Sequence, residues 1–138
     1  MNMSALEKFV DAQKSAYGVA LQEIKNGRKV SHWMWYIFPQ IAGLGRSYNA
    51  QFYAITSLDE AKEYLEHPVL GARLREISKA LLEHSGKDAR EILGGIDSMK
   101  LKSSMTLFDA VSADDVFADV LRVFFNGKRD ELTLIKLR

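Results

Sequence analysis

The side chains best suited to chemistry lie in a polar run over residues 94–110, "GGIDSMKLKSSMTLFDA". Asp97, Lys100 and Ser104 are spaced i, i+3 and i+7, so a helix places them on one face. Lys100 and Ser104 are the residue types of a serine–lysine nucleophile pair, but such a pair also needs a desolvated lysine and an oxyanion hole. An i,i+3 ion pair between Asp97 and Lys100 is the simpler prediction, so the pattern favours binding over catalysis.

Three hydroxyl residues, Ser103, Ser104 and Thr106, follow within the same predicted helix. Serine and threonine are poor helix formers because their side chains compete for backbone hydrogen bonds. A local conflict of this kind often marks a ligand site or a buried polar contact. We therefore expect Ser103, Ser104 and Asp97 to line the floor of a site.

Both tryptophans lie in the second candidate segment, "HWMWYIFPQIAGLGRSYNAQFY", residues 32–53. Large aromatic rings are costly to leave in water, so Trp33 and Trp35 should be mostly enclosed. Packing of both rings in the core is the simpler interpretation. In the alternative, the two rings point in different directions, and one of them flanks a cleft in which Gln40 hydrogen-bonds a ligand.

Glycines in the same segment permit a tight turn with accessible amides. Gly43 and Gly45 allow positive φ and close backbone approach, and Arg46 and Ser47 then present donors. Amides in such a turn and one guanidinium can hold a phosphate or carboxylate. The spacing lacks the third glycine of a dinucleotide loop and the lysine of a phosphate-binding loop, so a plain turn is the simpler interpretation.

Histidines give no local support for a metal site. His67 precedes Pro68 and, with Arg73 further along, is most simply a helix cap, although Arg73 is also a candidate contact for a ligand's charge. His32 and His84 are far from it in sequence, and no second histidine or carboxylate stands at ligand spacing. No metal and no cofactor are predicted.

Composition excludes several classes of protein. The chain has 138 residues, an apolar share of 47% and a charged share of 27%, typical of a soluble globular protein of one domain. A net charge of +1 gives no field that would gather nucleic acid or an anionic membrane. There is no cysteine, which excludes disulfides and thiolate chemistry. No apolar run of signal-peptide or membrane-span type appears, so we expect a cytoplasmic monomer or small homo-oligomer.

Apolar periodicity predicts that helices position these residues. Ser4 and Glu7 match a capping box that opens a first helix over about 5–26. The later predictions are a short helix or strand within 32–38, then helices over 58–66, from Pro68 to about 84, 88–93, about 96–110, from the Ser112 cap to 125, and 131–137 with Asp130 as its cap. We predict an all-α fold, one domain over 1–138 of six to seven helices, with an irregular Trp/Gly-rich segment around 30–56.

Four segments together resemble a known family. "WMWYIFPQIAGLGRSY", "LDEAKEYLEHPVLGARL", "GGIDSMKLKSSMTLF" and "FFNGKRDELTL" are similar, in the same order, to the bacterial domain-of-unknown-function family numbered 1810. The resemblance implies a compact all-helical fold, sometimes grouped with α-solenoid-like architectures, and no settled activity. Some members carry the label calpastatin, but this chain has no inhibitor-like disordered sequence. The resemblance is carried by Trp33, Trp35, Pro39, Gln40, Gly43, Gly45, Ser47, Pro68, Gly71, Arg73, Asp97, Lys100, Ser103, Thr106, Phe108 and Asp130.

The leading hypothesis is that the protein binds a small anionic or nucleotide-like ligand in an aromatic and basic pocket. Trp33 or Trp35 would stack on the ligand, and Arg46, Arg73 and Lys100 would meet its charge. The alternative is a protein-interaction or homo-oligomerisation module without catalytic activity, using exposed aromatics from Trp33 to Phe38 or the 117–125 seam. Nucleic-acid binding ranks last because it draws only on "KLK" and "GKRD".

Overall fold

The chain is built from helices. The computed structural model describes residues 3–138, with side chains from residue 5 onward. The helices of this part are α1 (Met3–Lys25), α2 (Met34–Ile37), α3 (Tyr48–Phe52), α4 (Leu58–Glu66), α5 (Leu70–Leu82), α6 (Ala89–Leu93), α7 (Gly95–Val111), α8 (Val116–Phe125) and α9 (Glu131–Lys136). The predicted all-α class is confirmed. The described helices number nine rather than six to seven. Helix α3 was not predicted because none of its five residues is buried, so it has no apolar stripe for periodicity to reveal.

Side chains next to the helix starts explain several boundaries. Ser57 Oγ accepts a hydrogen bond from Glu60 N at 3.1 Å, so α4 begins where the sequence predicted. Asp130 caps α9 in the same way, by accepting from Thr133 N at 3.0 Å. The capping box predicted at Ser4 lies outside the described residues, since nothing is described of that side chain.

Two predicted helix starts differ in the structure. Pro68 is not the first residue of α5, which begins at Leu70. His67 has its predicted capping role, since its Nδ1 accepts from the amides of Val69 (3.1 Å) and Leu70 (3.2 Å) in the turn before the helix. Ser112 is not the N-cap of α8. That position belongs to Asp115, whose carboxylate accepts from the amide of Val116 at 2.7 Å.

The irregular segment around 30–56 contains two short helices and one β-bridge. Helix α2 confirms the helical interpretation of residues 32–38 over the strand, and it ends before Pro39, which disfavours helix at the preceding residue. Ile41 and Ile55 form an isolated parallel bridge that closes the loop carrying Gly43 and Gly45. The bridge thus joins the two ends of the loop that contains α3.

Helix α7 packs against α4, α6, α8 and α9. Every residue from Ser103 to Asp109 is buried, so this part of the helix is enclosed on all sides rather than on one stripe. Ser103 Oγ donates to Met99 O at 3.2 Å and Thr106 Oγ1 to Lys102 O at 2.8 Å. Two of the three hydroxyl residues that are poor helix formers, Ser103 and Thr106, therefore satisfy their polar atoms on the helix itself. None of the helices in residues 3–138 is both long and apolar enough to span a bilayer.

Candidate functional site

One cavity brings together the two segments that the sequence singled out. It has a volume of about 420 Å³ and lies between residues 29–35 and the start of α7. We name it the lysine cavity; it is lined by Lys29, His32, Met34, Trp35, Leu93, Gly94, Gly95, Ile96, Asp97 and Lys100. Of the predicted site residues, Trp35, Asp97 and Lys100 therefore share one cavity.

An ion network crosses the lysine cavity. One oxygen of Asp97 forms an ion pair with Lys29 Nζ at 2.9 Å, and the other lies 3.3 Å from Lys100 Nζ. The second contact is the predicted i,i+3 pair. The side chains of Lys29 and Asp97 are only 7% and 18% exposed, so this network is largely withdrawn from water. Partial burial makes such charges stronger partners for one another and for a ligand than surface charges are.

Each of the two lysine ammonium groups also lies over a tryptophan ring. Lys100 Nζ lies 5.1 Å from the ring centroid of Trp35, and Lys29 Nζ lies 5.0 Å from that of Trp33. These are cation–π distances, which orient the lysines without neutralising them. Trp35 is half-buried and faces the cavity, whereas Trp33 is 1% exposed and belongs to the core.

A carboxylate on α1 sets the position of the segment that carries Lys29 and Trp33. Glu23 accepts from Val30 N at 2.7 Å, Ser31 N at 2.9 Å and Trp33 Nε1 at 3.0 Å, and its second oxygen accepts from Ser31 Oγ at 2.6 Å. Burial alone would raise the pKa of the Glu23 carboxyl, but these hydrogen bonds outweigh it and lower the pKa to about 2. The cluster of Glu23 with these four donors is called the Glu23 clamp below.

The start of α7 leaves its first amides open to the lysine cavity. Gly94 precedes the helix with φ 90°, a conformation that favours glycine, and no side chain caps the helix. A Cβ added at Gly95 would meet nothing within 4 Å, so packing does not require glycine there. Two glycines at this end keep side chains away from amides that carry the positive end of the helix dipole.

A second cavity adjoins the first. It has a volume of about 290 Å³, and Ile96 and Lys100 line both. We name it the apolar cavity; its other lining residues are Gln40, Leu44, Gly45, Ala50, Met99, Ser103, Asp130 and Leu132. Two more predicted residues, Gln40 and Ser103, are thus placed next to the lysine cavity rather than in it.

Ser104 is enclosed and chemically isolated. Its side chain is 0% exposed, and its hydroxyl has no hydrogen-bond partner among the described residues. Lys100 Nζ instead contacts Asp97 and the ring of Trp35. The structure therefore shows no serine–lysine contact between these two residues.

Three further candidates lie away from both cavities. Arg46 is exposed, and its carbonyl accepts from Gln51 Nε2 at 2.8 Å. Ser47 is the N-cap of α3, accepting from Ala50 N at 3.1 Å, so the glycine-containing segment makes the simpler turn. Arg73 belongs to a separate polar network on α1, α4 and α5.

That network joins Arg73 to tyrosines in the core. Arg73 donates to Gln13 Oε1 at 3.4 Å and lies 5.0 Å from the Tyr17 ring, while Gln13 Nε2 donates to the hydroxyl of Tyr64 at 3.1 Å. Burial, then the hydrogen bond to Glu76, raises the pKa of Tyr17; burial raises that of Tyr64. Both groups stay protonated at neutral pH and connect helices in the manner of core polar groups.

The surfaces proposed for an interaction module are partly enclosed. Trp33, Phe38 and Phe117 are buried, whereas Trp35, Tyr36, Phe124 and Phe125 are half-buried and Val123 is 39% exposed. The exposed aromatic pair is instead on α3, where Tyr48 and Phe52 are 75% and 41% exposed and stack at 5.5 Å.

A larger cavity of about 740 Å³ lies where the two basic motifs meet. Lys102, Lys128 and Arg129 line it together with Asp130 and Glu131. Arg129 is already paired at 2.6 Å with the buried carboxylate of Asp109. The basic charge here is therefore largely neutralised. Among the described residues, no three His, Asp or Glu side chains converge in an arrangement that would hold a metal ion.

Sequence reasoning missed Lys29, Glu23 and the amides at Gly95. Lys29 follows the end of α1 in "NGRKV" and looks like an ordinary exposed cation. Its burial depends on contacts with Asp97 and Trp33, which periodicity does not reveal. The pair Gly94–Gly95 was the one available signal, but it indicated only a helix boundary.

Comparison with known proteins places the chain in a family. The model of a family described as "Protein of unknown function (DUF1810)" matches residues 3–137. The crystal structure of the conserved hypothetical protein Rv1873 from Mycobacterium tuberculosis superposes with a TM-score of 0.93 at 42% sequence identity, covering 96% of this chain and 95% of that one. A search of curated proteins found no match. With nearly its whole length matched, the chain belongs to the DUF1810 family.

Proposed function

We propose that the protein binds a small anionic ligand, such as an organic phosphate or a nucleotide-like molecule, in the lysine cavity. One observation carries the proposal: Trp35, Asp97 and Lys100, from distant segments, line a single cavity together with the almost fully buried Lys29. A volume of about 420 Å³ lies within the range of small-molecule sites.

The charges of the cavity favour an anion. Lys29 and Lys100 contribute two positive charges and Asp97 one negative charge, and the open first turn of α7 adds a partial positive charge. An ammonium has three N–H donors. Within the described chain, the Lys29 ammonium donates one hydrogen bond, to Ser31 O at 2.6 Å, and both lysines contact the Asp97 carboxylate as ion pairs. Donors therefore remain on both lysines for the oxygens of a ligand.

Trp35 supplies the wall against which an organic part of the ligand would lie. Its ring is half-buried and already carries Lys100 over one side. A planar or apolar group packed on a tryptophan, with the anionic group reaching an adjacent lysine, is a common way to bind an organic phosphate. His32, exposed at the mouth of the cavity, offers a further donor.

A thermal-shift screen tests this proposal. The purified protein is heated with inorganic phosphate, nucleotides, sugar phosphates or small carboxylic acids, and a ligand at a hundredfold excess over Kd should stabilise it by about 2.7 kcal/mol. We expect the shift to be lost in Lys100→Met and Trp35→Ala. Arg46→Ala, which removes an exposed cation outside the cavity, is the matched control and should respond like the wild type. No shift with any anion, or equal loss in the control, would refute the proposal.

The Tyr48–Phe52 pair favours a second candidate function, a protein-interaction module. Stacked and exposed aromatic rings are enriched at binding surfaces because they bury large area at low entropic cost. Sedimentation of the wild type and of a Tyr48→Ser, Phe52→Ser variant tests self-association. A monomer at all concentrations in both proteins would count against a homo-oligomer.

A further inference from the structure

Three large apolar side chains that line the apolar cavity are exposed. Ile96, Met99 and Leu132 line it and are 77%, 55% and 60% exposed, respectively. Large apolar side chains exposed singly are ordinary, but three that converge on one concave surface indicate something that covers them. Leu44 and Ala50 extend the same lining inward, and Leu44 packs against the hydrophobic core.

The polar groups of this cavity are mostly used by the protein itself. Ser103 Oγ donates to Met99 O, and the Asp130 carboxylate accepts from Thr133 N and Thr133 Oγ1. These groups cap or stabilise helices, so most of their hydrogen-bonding capacity is already used within the protein. Gln40 and Lys100 remain as polar side chains at the edges. The cavity therefore suits an apolar group better than a second charged one.

The apolar cavity borders the lysine cavity. Ile96 and Lys100, one turn apart on α7, line both. The ammonium of Lys100 lies toward the lysine cavity, where it contacts Asp97 and Trp35. A molecule that crosses this boundary would have its charge at the ammonium and its apolar part against Ile96, Met99 and Leu132.

We infer that the ligand is an amphiphilic anion, a phosphate ester whose apolar chain occupies the apolar cavity while its phosphate occupies the lysine cavity. This inference rests on the proposed function and adds the chemical class of the ligand. The charge complementarity at Lys100 and the shared lining distinguish such a ligand from a purely apolar one. They also distinguish it from a second copy of the chain, which would cover the rim without placing an anion beside the lysines.

The test is a calorimetric titration of the full chain with inorganic phosphate and with ethyl, butyl and hexyl phosphate. Each additional methylene should tighten binding by about two- to fourfold, which amounts to about 16-fold or more over the four methylenes between ethyl and hexyl phosphate. In a Met99→Gln, Leu132→Gln variant this dependence on chain length should flatten. Ile135→Gln is the matched control, since Ile135 is 53% exposed and lies outside the lining of both cavities.

The outcomes separate the inference from the proposed function. If inorganic phosphate binds but affinity does not change with chain length, the amphiphile is refuted and the anion site stands. If no phosphate binds in any form, the inference fails; if the other anions of the thermal-shift screen do not bind either, the proposed function fails with it. If hexanol binds as tightly as hexyl phosphate, the charged cavity takes no part and the inference is overturned. Dimerisation that disappears in the Met99→Gln, Leu132→Gln variant, with no dependence on chain length, also overturns it.

Discussion

Replacing Glu23 by glutamine should reveal how strongly the Glu23 clamp holds the lysine cavity together. All three N–H donors of the clamp bond to Oε1, which glutamine retains, and Ser31 Oγ can accept from the new amide instead of donating. The substitution therefore keeps the shape of the clamp and removes its charge. Its effect on stability measures the contribution of the ionised carboxylate.

The magnitude follows from the pKa of Glu23. In an unfolded chain a glutamate titrates near about 4.3, whereas the clamp lowers the pKa to about 2. Full linkage between these values corresponds to about 3 kcal/mol, and partial exposure of the group reduces our expectation to about 2 kcal/mol. Because the folded pKa is the lower one, this stabilisation is complete above about pH 5 and is lost as the pH falls from about 4.3 towards 2.

Urea unfolding at several pH values provides the assay. Glu23→Gln should lower the free energy of unfolding by about 2 kcal/mol at pH 7 and by about 1 kcal/mol at pH 3, since only the wild type loses the contribution. Glu66→Gln is the control, because Glu66 is exposed and its carboxylate makes no hydrogen bond or ion pair within the described residues. A difference between wild type and Glu23→Gln that is near zero at pH 7, or equal at pH 7 and pH 3, would refute this reasoning.

Further substitutions test other parts of the account. Asp97→Asn leaves the buried ammonium of Lys29 without its carboxylate, so the free energy of unfolding should fall by about 2–3 kcal/mol. Anions should nevertheless bind about tenfold more tightly in calorimetry, because a repulsive charge is gone. Weaker binding would make Asp97 a ligand contact. Ser104→Ala removes a buried hydroxyl that has no partner among the described residues, and should leave the free energy of unfolding unchanged or raise it by about 1 kcal/mol. Thr106→Val breaks two hydrogen bonds and should lower it by about 1–3 kcal/mol in chemical denaturation. Equal losses in the two variants would contradict this. Gly71→Ala places a Cβ 2.0 Å from the Leu65 carbonyl oxygen and should lower the melting temperature. In Gly18→Ala the added Cβ meets nothing within 4 Å, so the melting temperature should rise through about 1 kcal/mol of helix propensity. The opposite order would refute the packing of α4 on α5.

Helices whose ends are marked by short-range signals were predictable from the sequence. Helix α4 was predicted over residues 58–66, where the structure places it, because its cap and its apolar stripe are both local. Asp130 as the cap of α9 is a second example. The cap at His67 was also predicted, although the helix that follows it begins at Leu70 rather than at Pro68.

The candidate site was predictable only in part. Asp97 and Lys100 were paired correctly because i,i+3 spacing on a helix brings them together. That Trp35 rather than Trp33 faces the cavity depends on Glu23, which draws the Trp33 indole into the core through a hydrogen bond between distant segments. The burial of Lys29 depends on tertiary contacts of the same kind. No periodicity of one segment contains that information.

Chemical-shift mapping by NMR tests the central claim most directly. Phosphate or hexyl phosphate is added to the isotope-labelled protein, and the amides of Gly95, Ile96 and Asp97 and the Trp35 indole are followed. We predict that these signals shift together in a saturable manner and that Lys100→Met abolishes the effect. Saturable shifts confined to the Arg73 network or to the Lys102–Lys128 surface, with the start of α7 unchanged, would contradict an anion site in the lysine cavity.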